Sequence, residues 1–125
     1  MTPECILACG DILGEVPVWD ESCNSICWID VSRGRWQTLD MGTRHHAIHQ
    51  LPGQTAGGWA FRTSGGIVIG LDNGIFGFDD GEVAGPRLAI LPPEELQASH
   101  RINESTVDPR GRLWMGVMDR NAALN

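Results

Sequence analysis

The chain has 125 residues, 16 of them glycine, about twice the ordinary share of ~7%. Sixteen acidic residues stand against nine basic ones, all arginine, for a formal charge of −7, the wrong sign for binding by phosphate neutralisation, so no nucleic-acid partner is expected. Hydrophobic content of 42% with 20% charged residues describes a folded globule rather than a disordered segment, and the length leaves room for one domain.

No run approaches the ~18 consecutive apolar residues of a membrane helix, and no positive charge precedes the short apolar stretch at residues 6–8. Neither a membrane partner nor a secretory signal is expected, and a cytoplasmic location follows. Cys5 and Cys9, then Cys23 and Cys27, are spaced in a way that admits zinc. The alternative is that Cys23 and Cys27 flank a hairpin turn as reduced, half-buried groups. Pairing as disulfides stays open.

Glycine-rich sequence with short aliphatic runs disfavours long helices, because glycine costs ~1 kcal/mol relative to alanine inside one. Three segments share one pattern of apolar strand, small polar turn and second apolar strand. The first runs from Val16 to Asp20, turns through Glu21 to Ser25, and continues from Ile26 to Val31. The second runs from Gly58 to Phe61, turns through Arg62 to Gly65, and continues from Gly66 to Leu71; the third runs from Ser105 to Val107, turns through Asp108 to Gly111, and continues from Arg112 to Val117. Further turns at Ser32 to Gly34 and Asp72 to Gly74 lead into alternating strands from Arg35 to Leu39 and Ile75 to Phe78. Residues 44–51, holding His45, His46 and His49, read as a strand and loop closing the first unit, with a partly exposed histidine cluster rather than helix-borne metal ligands. Residues 92–98, with two prolines and two glutamates in front, read as a short helical connector.

Ile26, Ile67 and Leu113, the first apolar residues after the three turns, lie 41 and 46 residues apart. Antiparallel units recurring at ~40–50 residues mark the blades of a β-propeller, whereas a β-sandwich explains the strands but not the internal similarity. The expectation is an all-β chain, a partial β-propeller of about two and a half blades over residues 1–125. Trp28 and Trp114 fall at nearly equivalent places in two units and read as packing between sheets.

The run Leu13-Gly-Glu-Val-Pro-Val-Trp-Asp20, then Cys27-Trp-Ile-Asp30, then Arg101-Ile-Asn103 leading into Val107-Asp-Pro-Arg-Gly-Arg-Leu-Trp-Met-Gly-Val-Met118 resembles the N-terminal half of the gluconolactonase, senescence-marker-protein and regucalcin family. The resemblance implies a six-bladed propeller holding one divalent metal (Ca, Zn, Mg or Mn) in its central channel and hydrolysing a sugar lactone. It implies Glu15 as a metal ligand, with Arg101 and Asn103 holding the substrate's hydroxyls and carbonyl. Such a metal polarises a carbonyl and lowers the pKa of bound water, while guanidinium and amide orient a polyhydroxylated ring. Asp108-Pro-Arg-Gly111 is read as a structural turn.

The family pattern usually has glycine where Val16 stands, and Asp-Gly where Glu104-Ser105 stand. A β-branched valine is expected to refuse the positive φ that glycine permits, and glutamate is one methylene longer than aspartate. The family also draws two further metal ligands, one of them the base, from later blades, so no catalytic base is assigned within this chain. The expectation is a truncated member, inactive alone, whose open sheet edges favour self-association. The alternative is a non-enzymatic calcium-binding or propeller-type interaction module.

Overall fold

The computed structural model describes residues 2–72, 74–79, 87–89 and 99–121, and for residues 87–89 the backbone alone. Among the described residues, ten strands form three antiparallel sheets. The first is a meander of β1 (Gly14–Asp20), β2 (Ser25–Asp30), β3 (Arg35–Asp40) and β4 (His46–Gln50). The second repeats that order with β5 (Ala56–Phe61), β6 (Ile67–Leu71), β7 (Gly74–Phe78) and β8 (Arg87–Ala89). The third is the hairpin of β9 (His100–Val107) and β10 (Leu113–Asp119). The strands and hairpin turns expected from the three repeated units are all present, and the His-bearing segment is β4. The expected connector at residues 92–98 lies outside the described residues, as does Asn73 of the second turn.

Aspartates start the hairpins because a carboxylate can accept the amides two and three residues on, supplying the bonds that a turn would otherwise leave unmade. The Asp20 carboxylate accepts Ser22 N–H at 2.9 Å, Asp40 accepts Gly42 and Thr43 N–H at 2.7 and 2.9 Å, and Asp108 accepts Arg110 and Arg112 N–H at 2.9 and 3.0 Å. Asp108 also bonds the Arg112 and Trp114 side chains, and these donors pull its carboxyl down to about 2. The Asp108 turn is structural, as its sequence suggests.

The core lies between the first two sheets. Alternate residues Cys27, Ile29 and Val31 face Ile67, Ile69 and Leu71, with Trp59, Leu51, Ala56 and Phe78 closing the cluster. Full burial of one such aliphatic side chain contributes about 1.5–3 kcal/mol, so period-two alternation on β2 and β6 is enough to choose the buried face. Cys27 is buried rather than half-buried, and desolvation pushes its thiol up to about 12; Cys23 is exposed, and all four cysteines are free.

Trp114 departs from the expected inter-sheet packing, being 57% exposed. Aligning Ile26 with Leu113 matches Trp114 with Cys27, and Met115 with Trp28. That one-residue offset places the two tryptophans on opposite faces of their sheets. Trp28 stacks on His46 and donates to the Asp11 carboxylate at 2.7 Å, whereas Trp114 lies on the face that, in the first sheet, packs against the second.

The third sheet docks on the second through missing side chains. A Cβ on Gly57 would sit 1.7 Å from the Ile102 carbonyl oxygen, and one on Gly58 would sit 2.8 Å from the Ser105 amide nitrogen. The Gly57-Gly58 pair thus lets β9 approach the backbone of β5, and Ile102 is 1% exposed against it.

Candidate functional site

The first strand of each unit, β1, β5 and β9, carries an irregularity near its start. Pairing jumps between Glu15 and Val18 on β1, between Ala56 and Gly58 on β5, and at Asn103 on β9, which stands unpaired between Ile102 and Glu104. Val16, Gly57 and Asn103 are spaced by the same 41 and 46 residues as the turns, so the bulge recurs at one level of the repeat. An extra residue bends the strand and re-aims its neighbours.

Val16 adopts φ 52°, the left-handed region, against expectation. The bulge sets two residues, Val16 and Pro17, opposite Trp28 alone, and the chain absorbs the extra residue by turning left-handed at Val16. Its carbonyl accepts the indole N–H of Trp59 at 3.1 Å.

Glu15, the residue before this turn, is half-buried, and no described residue hydrogen-bonds or ion-pairs with its carboxylate. Its paired neighbour across the ladder is Ile29, which gives it no polar contact. Arg101 is half-buried without an ion pair among the described residues, and its guanidinium donates to the Ile102 carbonyl at 3.1 Å; the Asp108 carboxylate is taken by Arg112. Asn103 is half-buried in its bulge. The fold therefore sets Glu15 and Asn103 at one level of the repeat, on strands separated by β5.

The half-buried Glu15 carboxylate, free of partners among the described residues, is chemically fitted to one position around a hard divalent cation. Among the described residues no three ligand-type side chains come together, so the fit extends to one ligand. The clustered histidines at positions 45, 46 and 49 do not add to it: His46 contacts Gln37 at 3.0 Å and stacks on Trp28, His49 tilts against Trp36, and His45 is exposed.

Other carboxylates brace the site's end of the strands, a role that sequence reading missed. Asp30, fully buried, accepts Ile12 and Leu13 N–H at 3.2 and 3.3 Å and pairs with Arg33 at 3.0 Å. Asp72 accepts Gln54 and Thr55 N–H at 2.6 and 3.0 Å and the Thr55 hydroxyl, and Arg120 reaches it at 3.1 Å. In both, desolvation pushes the carboxyl up but the assembled donors more than offset it, leaving the group below its ordinary value. Each ties the end of a second strand to the lead-in of the first strand of its sheet. The signal was in the sequence, as an aspartate closing each apolar run (Ile29-Asp30, Leu71-Asp72, Met118-Asp119).

A cavity of about 660 Å³ between the first two sheets lies elsewhere, toward the hairpin end of β5 and β6, lined by Trp36, His49, Phe61, Arg62 and Phe78 among others. It includes none of Glu15, Arg101 or Asn103.

Comparison with known proteins agrees with this architecture. A 6-deoxy-6-sulfogluconolactonase of Pseudomonas putida is 35% identical over 96% of this chain and 42% of its own length. A pentonolactonase of Haloferax volcanii is 28% identical over 89% of the chain and 36% of its own length. The crystal structure of a regucalcin from Agrobacterium tumefaciens, described as a calcium-binding protein, superposes with a TM-score of 0.81 at 24% identity, covering 92% of this chain and 38% of the other. The chain thus spans less than half the length of the relatives it matches, and its sheets are blades of a propeller. The family model of the SMP-30/gluconolactonase/LRE-like region matches residues 13–125, and the chain belongs to that family.

Proposed function

We propose that this chain supplies one wall of a metal-dependent site for hydrolysing a sugar lactone, with Glu15 as one metal ligand and Arg101 and Asn103 as substrate contacts. The observation that carries the reading is the recurrent bulge, which sets a carboxylate without a partner among the described residues and an asparagine left out of the strand register at one level of the repeat, on the first strands of the first and third sheets. Family membership and two relatives named as lactonases support the reaction class.

A divalent cation held in part by Glu15 would supply Lewis-acid chemistry at a carbonyl oxygen. This chain's own residues bind and orient. Arg101 offers a fixed fork of N–H donors to ring hydroxyls, and its guanidinium is not consumed by an ion pair among the described residues. Asn103 offers both a donor and an acceptor, suited to a hydroxyl that does both. Orienting one ring face this way converts a random encounter into a near-attack arrangement.

The chain by itself holds one carboxylate of the site, so turnover is expected only when the remaining blades are supplied. The test joins this chain in frame to the part of the Pseudomonas putida relative that follows the matched region. A folded fusion that opens an aldonolactone only with a divalent metal supports the proposal. Calcium binding without turnover favours the interaction module, and metal-dependent hydrolysis by the unfused chain, abolished by Glu15→Ala, overturns the one-wall reading.

A further inference from the structure

Two of the three positions at which the sequence departs from the family pattern, Val16 and Ser105, are bonded to the same residue. Trp59, the largest fully buried side chain at 2% exposure, donates its indole N–H to the Val16 carbonyl at 3.1 Å. Its own carbonyl accepts the Ser105 hydroxyl at 2.9 Å. The indole plane is held by edge contacts, with Trp36 at 5.8 Å and Phe61 at 5.0 Å between ring centroids. A continuous brace therefore runs from β9 through β5 to β1, crossing the three strands that carry the recurrent bulge.

We propose that Trp59 is a positioning residue for Glu15, and that Ser105 extends its hold to the strand of Asn103. A β-branched residue stays left-handed only where its surroundings impose it. The Val16 carbonyl is fixed by a buried donor, and that donor belongs to a ring packed edge-on against Trp36 and Phe61. Because Val16 directly follows Glu15, its left-handed turn sets the direction in which the Glu15 side chain leaves β1. Where glycine would reach this backbone unaided, valine reaches it through Trp59. Ser105, in place of a residue with no side chain, anchors the backbone of Trp59 itself. The carboxylate's role as metal ligand rests on the proposed function; the brace and its effect on Val16 do not.

The test uses the 125-residue chain, isotope-labelled, in solution. Two readouts are taken from one sample: the HN–Hα coupling and Cα and Cβ shifts of Val16, which distinguish left-handed from extended backbone, and Mn²⁺ broadening of the glutamate carboxylate resonances. Trp59→Phe keeps the ring and removes the N–H; the left-handed signature of Val16 is expected to disappear, with Mn²⁺ affinity at Glu15 about tenfold weaker, as for loss of other residues that orient a ligand. A Val16 signature unchanged in that variant overturns the proposal, as does its loss with Mn²⁺ broadening at Glu15 unaltered. Because Trp59→Phe opens space in the core, Ser105→Ala is the milder probe, expected to shift the Trp59 indole N–H resonance, with Ser105→Thr restoring it. An unshifted resonance in Ser105→Ala removes Ser105 from the brace. Failure of Mn²⁺ to select Glu15 in the fusion that supplies the remaining blades overturns the metal role instead, while the Val16 signature still decides the brace.

Discussion

Val16 and Val18 are the same residue type on the same strand, both partly buried against the core, yet only Val16 has a positive φ of 52°. Replacing an extended, partly buried valine with glycine loses packing and adds chain entropy to the unfolded state, together about 2–3 kcal/mol. At Val16 the same losses are offset by release from the left-handed conformation, which costs an L-residue about 1–2 kcal/mol. Val18→Gly is therefore expected to cost about 2–3 kcal/mol and Val16→Gly about 1–2 kcal/mol less than that, measured by denaturant unfolding. Equal losses would mean that Val16 carries no backbone strain. The rule that a β-branched residue avoids positive φ is sound as a local preference. It failed here because the opposing bond comes from Trp59, 43 residues away in the chain.

Among the elements, the bulged first strands and the glycine pair on β5 matter most for the site. Gly57→Ala would place a methyl group 1.7 Å from the Ile102 carbonyl oxygen, with backbone on both sides of the contact. The hairpin of β9 and β10 is expected to separate from the second sheet, at a cost of about 3 kcal/mol, with faster amide exchange confined to those two strands and their contacts on β5. Exchange rates left unchanged would contradict the close approach. The strands and turns were legible because period-two alternation and aspartate- or glycine-bearing turns are local signals, repeated at 41 and 46 residues. The bulges were not, since one unpaired residue such as Asn103 leaves no compositional mark. Nor was the face of Trp114, because a one-residue offset between repeats reverses it. Glu15, Arg101 and Asn103 were singled out by resemblance alone; the fold adds that Glu15 and Asn103 share a level and that no described residue occupies the Glu15 carboxylate.

At the scale of the whole molecule, carboxylates govern the response to acid. Asp30 and Asp72 sit below their ordinary values because surrounding donors outweigh desolvation, and Asp108 is held at about 2. A carboxyl whose folded pKa is depressed contributes stability that is present above its unfolded pKa of about 3.9 and is lost as pH falls through the folded value. The melting temperature is expected to be flat from neutral pH to about pH 5 and to fall steeply below about pH 4. Asp30→Asn should lower the plateau and flatten the acid limb; an unchanged acid limb would show that the buried carboxylate does not contribute. The chain spans 42% of the length of its Pseudomonas putida relative, and the proposed function has its blades act on a lactone together with further blades. The most direct measurement is metal-dependent lactone hydrolysis by the fusion described above, with and without Glu15→Gln, which keeps the side chain's size and removes its charge. A fall in kcat/KM of about 10²-fold or more, with the melting temperature unchanged, is the predicted result for loss of a metal ligand. A folded Glu15→Gln fusion that hydrolyses the lactone at the unaltered rate would contradict it.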